Sequence, residues 1–227
     1  MRMIEHKKTR IVLSWILPLL IMPPVVYLST KLDSRYTAGM ILLMVVLTLL
    51  LFLSGINRKE IGTRRMVLSA IFIGMAIAGR ALPILKPVTA LTILAAMYLG
   101  KEAGFLVGAF SAVLSNFFFG QGPWTPFQML AWGLIGWLAG ILAIPLQTHR
   151  WLMLGYGAIT GLGYSMLMDI WTVLWHYEGF SAAYYGTVLI TAMPHTLLYV
   201  GGNVLFLAVL GKPIGDKLLR IQKKYGI

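Results

Sequence analysis

Eight apolar stretches, near residues 11–28, 38–56, 66–84, 88–99, 103–119, 127–146, 151–175 and 182–210, leave little of this chain for anything else. A helix that crosses the hydrocarbon core of a bilayer needs about 20 apolar residues. All the stretches but 88–99 reach or approach that length. Composition closes off the soluble alternative. Residues are 59% hydrophobic and 11% charged, whereas soluble domains carry roughly 25% charged residues. The expected fold is an all-α polytopic membrane protein, because lipid forces each spanning segment to pair its own backbone groups. The first stretch does not read as a cleavable signal: Pro18, Pro23 and Pro24 interrupt it, and no small-residue cleavage site precedes Lys31.

Charge orders these stretches in the membrane. The formal net charge is +12, which in a soluble protein would suggest nucleic acid as partner. Here basic loops on one membrane face account for it, and no nucleic acid is expected. With eight spans and both termini in the cytoplasm, Lys31, Arg35, Arg80 and Lys86 are the basic residues left outside, and the other 15 of 19 lie inside. Removing the short stretch 88–99 would invert everything after it and put the basic C-terminal tail outside, against the positive-inside rule. It is therefore kept as a span, tilted or thinning the bilayer locally.

The chain's most informative segment is then an outward one, Ser115-Asn-Phe-Phe-Phe-Gly-Gln-Gly-Pro-Trp-Thr-Pro-Phe-Gln128. Gly120, Gly122, Pro123 and Pro126 stop regular structure. Asn116, Gln121, Trp124, Thr125 and Gln128 bring hydrogen-bonding groups beside Phe117, Phe118 and Phe119. A loop over residues 117–126 with this mixture suits an amphipathic small molecule; the plainer reading is an aromatic belt at the membrane interface.

Inside the spans, polar residues are few: Asn116, Asp169, His195 and Asn203. Such groups face the bundle interior or a cavity. Asp169 suits a ligand contact, a cation partner or a helix pin. His195, after Pro194, suits packing more than metal ligation. Small residues recur every four positions at Ala70/Gly74/Ala78, Gly104/Gly108/Ala112 and Gly136/Gly140, a spacing that lets helix backbones approach closely in lipid. The later pairs are expected to pack internally, and the first stripe to pack or to dock a partner.

Absences narrow the function. Zero cysteines exclude disulfides, thiolate metal sites and a cysteine nucleophile. No phosphate-binding Gly-x4-Gly-Lys-Ser/Thr motif, zinc helix or nucleophile elbow occurs. Nor does a voltage-sensing helix or selectivity filter. The chain is not expected to be an enzyme, to bind a metal or to carry a cofactor.

Residues 66–227 resemble a substrate-binding S component of an energy-coupling factor (ECF) transporter. The resemblance rests on Ala70-x3-Gly74-x3-Ala78, on the run from Lys101 to Ala112, and most specifically on Ser115–Gln128 followed by Ala131-Trp132-Gly133-Leu134-Ile135-Gly136. It implies a six-helix core, residues 61–227, in the cell membrane, binding one vitamin from outside. It further implies partners: a membrane T subunit with two ABC-type ATPases that hydrolyse the ATP. Docking maps to Ala70, Gly74 and Ala78, with Gly in place of the family's middle Ala. The segment 1–60 departs from the pattern and adds a transmembrane hairpin with basic cytoplasmic flanks.

The outer segment most resembles the cobalamin-related branch, which makes cobalamin or a corrinoid the expected cargo. Phe117, Phe119, Trp124, Trp132, Trp171, Trp175 and Tyr177 would meet its flat faces; Asn116, Gln121, Thr125, Gln128, Asp169, His195 and Asn203 would exchange hydrogen bonds with its amides. Arg80 or Lys86 would meet a phosphate. The same inventory also suits another vitamin or a modified base. A proton-coupled carrier working alone is a weaker alternative, since it calls for more intramembrane carboxylates than Asp169.

Overall fold

The structure is a computed structural model and describes residues 20–56, 62–176 and 180–225. Among these residues it is all helix and turn, with no strand. In chain order the helices are α1 (Met22–Ser29), α2 (Thr37–Ile56), α3 (Thr63–Arg80), α4 (Val88–Leu99), α5 (Lys101–Phe119), α6 (Thr125–Ile141), α7 (Ala143–Thr148), α8 (Arg150–His176) and α9 (Ala182–Tyr225). The start of the first apolar stretch lies outside the described residues.

The short helix α4 is the axis of the bundle. All twelve of its residues are buried, and α3, α5, α6, α7, α8 and α9 all pack on it. At about 1.5 Å per residue it is roughly 18 Å long. Protein surrounds the helix on every side, so its apolar surface is covered by other helices rather than by lipid. Pro87 precedes it and Gly100 ends it at φ 94°. That backbone conformation is strained for any residue with a Cβ, and it lets α5 start one residue later.

Helices α5 and α6 form the closest pair. Their glycines interlock: a Cβ on Gly136 would lie 2.2 Å from the Gly104 carbonyl oxygen, and one on Gly108 the same distance from the Trp132 carbonyl oxygen. No side chain fits in either place. The stripe Ala70, Gly74 and Ala78 instead faces outward and is exposed, with no atom within 4 Å of a Cβ on Gly74.

Two boundaries differ from the sequence reading. The apolar stretch 127–146 breaks at Leu142 into α6 and α7. The last stretch runs on through the basic tail as one 44-residue helix containing Pro194 and Pro213. Such a helix is about 66 Å long, twice the hydrocarbon thickness, so it extends past the membrane at its basic end. Among the described residues, α5 and the apolar part of α9 are each long and apolar enough to cross a membrane, and 37–53 and α4 are shorter apolar helices.

Helices α1 and α2 lie against the rest of the bundle. Helix α2 packs on α5 and α6, and α1 packs on α2 and α6. The Ser29 hydroxyl donates to the Pro123 carbonyl at 3.4 Å. Beside the α2–α5 contact lies an apolar cavity of about 630 Å³, lined by Ile41, Val45, Phe110 and Leu114.

Candidate substrate site

Arg80, the last residue of α3, organises one end of the bundle. Its guanidinium donates to the Ser115 hydroxyl at 2.5 Å and to Asn116 Oδ1 at 2.6 Å. It also lies over the rings of Trp132, 5.4 Å away, and Phe119, 5.5 Å away. A cation over an aromatic face gains roughly 0.5–2 kcal/mol, more as water is excluded.

Asn116 is the hub beneath it. Only 1% of this residue is exposed. Its Nδ2 donates to Thr125 Oγ1 and to Gln128 Oε1, each at 2.8 Å. With Oδ1 accepting from Arg80, the amide has used both hydrogens and one lone pair. Thr125 Oγ1 donates to Gln121 Oε1 at 2.9 Å, and Gln121 Nε2 donates to the Val113 carbonyl at 2.8 Å. The polar groups of segment 115–128 thus bond chiefly to one another and fix the turn between α5 and α6.

That turn is shorter than the sequence suggests. Helix α5 persists through Phe119 and stops at Gly120, φ 105°; α6 begins at Thr125, with Pro126 in its first turn, where a missing N–H costs nothing. Phe117, Phe118 and Phe119 are therefore helical residues, 71%, 77% and 48% exposed, rather than loop residues. Gly122 is required by Trp124, whose ring carbons lie 2.2–2.5 Å from where its Cβ would be.

A ladder of rings runs across the bundle from Arg80. Trp132 stacks on Tyr164 at 4.8 Å, and Tyr164 on Tyr199 at 5.0 Å, both within 9° of parallel. His195 sits at its far end, 5.9 Å from Tyr199 and tilted by 30°, and is exposed rather than turned to the bundle interior as the sequence suggested. Trp132 Nε1 donates to Thr89 Oγ1 at 3.1 Å. A second aromatic group joins Trp124 edge-on to Trp171 at 5.8 Å, and Trp171 to Trp175 at 5.9 Å.

The structure thus brings Arg80, Asn116, Phe119, Gln121, Trp124, Thr125, Gln128, Trp132, Trp171 and Trp175 to one end. Phe117 turns away and lines the cavity against α2. Lys86 is half-buried in the α3–α4 connection. Asp169 is buried on α8, and its Oδ2 has no hydrogen-bond partner among the described residues; the same holds for Trp171 Nε1. Asn203 lies deeper, on the α8–α9 seam, where its Nδ2 donates to the Gly157 carbonyl at 3.3 Å. Tyr177 lies outside the described residues. Sequence reasoning passed over Ser115, Tyr164 and Tyr199. The signal available was their hydroxyls, since a phenol or alcohol inside an apolar helix needs a partner.

The family model described as "ECF-type riboflavin transporter, S component" matches residues 61–220. The chain belongs to this family. It is an S component of an ECF transporter and an integral membrane protein, and in such systems partner subunits hydrolyse ATP. The match starts just before α3, so α1 and α2 lie outside it. No curated protein and no solved structure matches the chain.

Proposed function

We propose that this S component captures a flat, amide-fringed micronutrient at the Arg80 end of the bundle and delivers it by docking on a T subunit that carries two ATPases. The observation that carries this reading is the guanidinium of Arg80 set on the Trp132–Tyr164–Tyr199 ladder beside a cluster of side-chain amides. The exposed rings of Phe119 and Trp175 beside this ladder suit the faces of a planar ligand, and the amides would meet its edge by exchanging bonds they now make with one another. The unpartnered Asp169 oxygen and Trp171 N–H add an acceptor and a donor at the same end. The positive-inside bias supports an outward orientation for this end, with both termini in the cytoplasm. It also supports a six-helix core behind an N-terminal hairpin. The exposure of Ala70, Gly74 and Ala78 supports α3 as the docking helix.

Within that class we favour cobalamin or a corrinoid, on the likeness of the outer segment to the cobalamin-related branch. A second reading, a flavin, is favoured by the description of the matching family. Calorimetry on the detergent-purified chain, titrated with cyanocobalamin, riboflavin, folate and thiamine, tests both. Tight binding of cyanocobalamin alone is expected. Binding of riboflavin alone would move the cargo to the second reading, and silence with all four would overturn the proposed class.

A further inference from the structure

The opposite end of the bundle carries a second concavity, of about 260 Å³, between α4, α7, α8 and α9. Its rim holds Arg150, Lys212, Asp216 and Tyr98. Neither Arg150 nor Lys212 forms an ion pair among the described residues, and both are exposed. Its floor is apolar, with Leu146, Met153 and Leu207 nearly or fully buried. The walls are fixed by long-range contacts. Gln147 donates to the Met97 carbonyl, and Gln222 donates to the Tyr98 carbonyl at 2.5 Å. Gly215 has no room for a Cβ under the Tyr98 hydroxyl, 2.3 Å from where that atom would be.

We infer that this concavity is a binding site for one anionic phospholipid with a hydroxylated headgroup. Two cations facing a single carboxylate leave a positive site, which complements a phosphodiester. Asp216 repels the phosphate but accepts hydrogen bonds from headgroup hydroxyls, so a glycerol headgroup satisfies all three charges together. The volume suits roughly ten heavy atoms at 20–30 Å³ each, about a phosphoglycerol group. A free phosphate would leave the apolar floor wet, whereas the first carbons of an acyl chain cover it. The place also fits: basic pockets between membrane helices at the positive end collect acidic headgroups. The site is separate from the Arg80 cluster and does not depend on which micronutrient is carried.

The test uses the full chain in detergent, with bound lipid counted by native mass spectrometry. Phosphatidylglycerol is expected to bind one per chain, about tenfold more tightly than phosphatidylcholine, and glycerol 3-phosphate at millimolar concentration is expected not to displace it. Arg150→Gln with Lys212→Gln should abolish that preference; Lys212→Gln alone should lower it about fivefold, near the ~1 kcal/mol that one surface cation contributes. Arg150→Lys with Lys212→Arg should keep it. Lys217→Gln with Lys223→Gln, which removes two cations outside the concavity at the same end, should also leave it intact. Equal retention of phosphatidylcholine, or equal loss in the Lys217/Lys223 variant, overturns the site. Displacement by glycerol 3-phosphate overturns the lipid as its occupant.

Discussion

Gly104 and Gly108 on α5 carry the same four-residue spacing as Ala70, Gly74 and Ala78 on α3, and the two faces have opposite fates. On α5 the glycines meet the backbone of α6, with the carbonyls of Gly136 and Trp132 2.7 and 2.2 Å from their missing Cβ positions. On α3 the small residues look outward, and a Cβ on Gly74 meets nothing. Small residues permit close approach of helices, but what approaches is decided by the helix opposite. Helix α6 follows α5 after a five-residue turn pinned by Asn116, so a partner within the chain is at hand. Helix α3 already buries its other face, Ser69, Phe72, Ile73 and Ala76, and its small-residue face is left over.

The comparison is broken most severely at the seam. Gly136→Leu would drive a branched side chain into the Gly104 backbone, where no rotamer escapes. The expected loss exceeds about 4 kcal/mol. Size-exclusion profiles should show aggregate instead of a single folded peak. A folded variant with unchanged melting would show that α5 and α6 are less closely packed than the 2.2 Å clearance implies.

The same substitution on the other face should do nothing to the fold. Gly74→Leu enters open space, and leucine is a better helix former than glycine by roughly 0.8 kcal/mol, so melting should hold or rise slightly. Co-purification with the T subunit should nevertheless fail, because bulk separates the two helix backbones. Intact assembly would remove α3 as the docking helix while leaving the binding reading untouched.

Asn116→Leu should fall between these extremes. It strips partners from Arg80, Thr125 and Gln128 at once. A buried polar group left without a partner costs about 1–3 kcal/mol, and Asn116 lies at the turn joining the two seam helices. A loss of about 2–4 kcal/mol is expected in thermal melts, along with weaker cargo binding, since Arg80 loses one of its two anchors. Lower stability with unchanged affinity would confine the network to holding the turn.

How much of this was readable beforehand depends on the range of the signal. The limits of α4 were legible because Pro87 and Gly100 mark them locally, and its burial was not, since that depends on every other helix. Asn116, Gln121, Thr125 and Gln128 stood out as polar residues among rings. That they satisfy one another could not be read, because one sequence does not fix how α5 is rotated against α6. The same ignorance turned Phe117–Phe119 into a loop: three aromatics before glycine and proline look like a turn, yet the helix stops only where Gly120 takes its positive φ. The Trp132–Tyr164–Tyr199 ladder joins residues more than 30 positions apart on three helices, and no period in the chain announces it. The small-residue spacing was fully visible, but its sorting into a seam and an open face was not.

The smallest effect is expected where glycine packing and a hydroxyl pair share one interface. On the α8–α9 seam, Gly157 has Leu207 Cδ1 2.3 Å from its missing Cβ, and Gly161 has the Asn203 amide nitrogen at 2.7 Å. One turn further along α8, Ser165 Oγ and Thr196 Oγ1 lie 2.6 Å apart. Bonds of this kind between membrane helices contribute about 0.6 kcal/mol on average and at most about 1.7, because the separated helices also find partners for their hydroxyls. Thr196 Oγ1 keeps the Ala192 carbonyl, 3.1 Å away, when Ser165 is removed, so Ser165→Ala leaves no hydroxyl stranded. A loss below about 1 kcal/mol is expected, a shift in melting temperature of roughly 2–4 °C. In a double-mutant cycle with Thr196→Val, the coupling should stay near 0.6 kcal/mol. A coupling above about 2 kcal/mol would mean that the hydroxyl pair, and not the close approach at Gly157 and Gly161, holds α8 to α9, and the seam would then differ in kind from the one between α5 and α6.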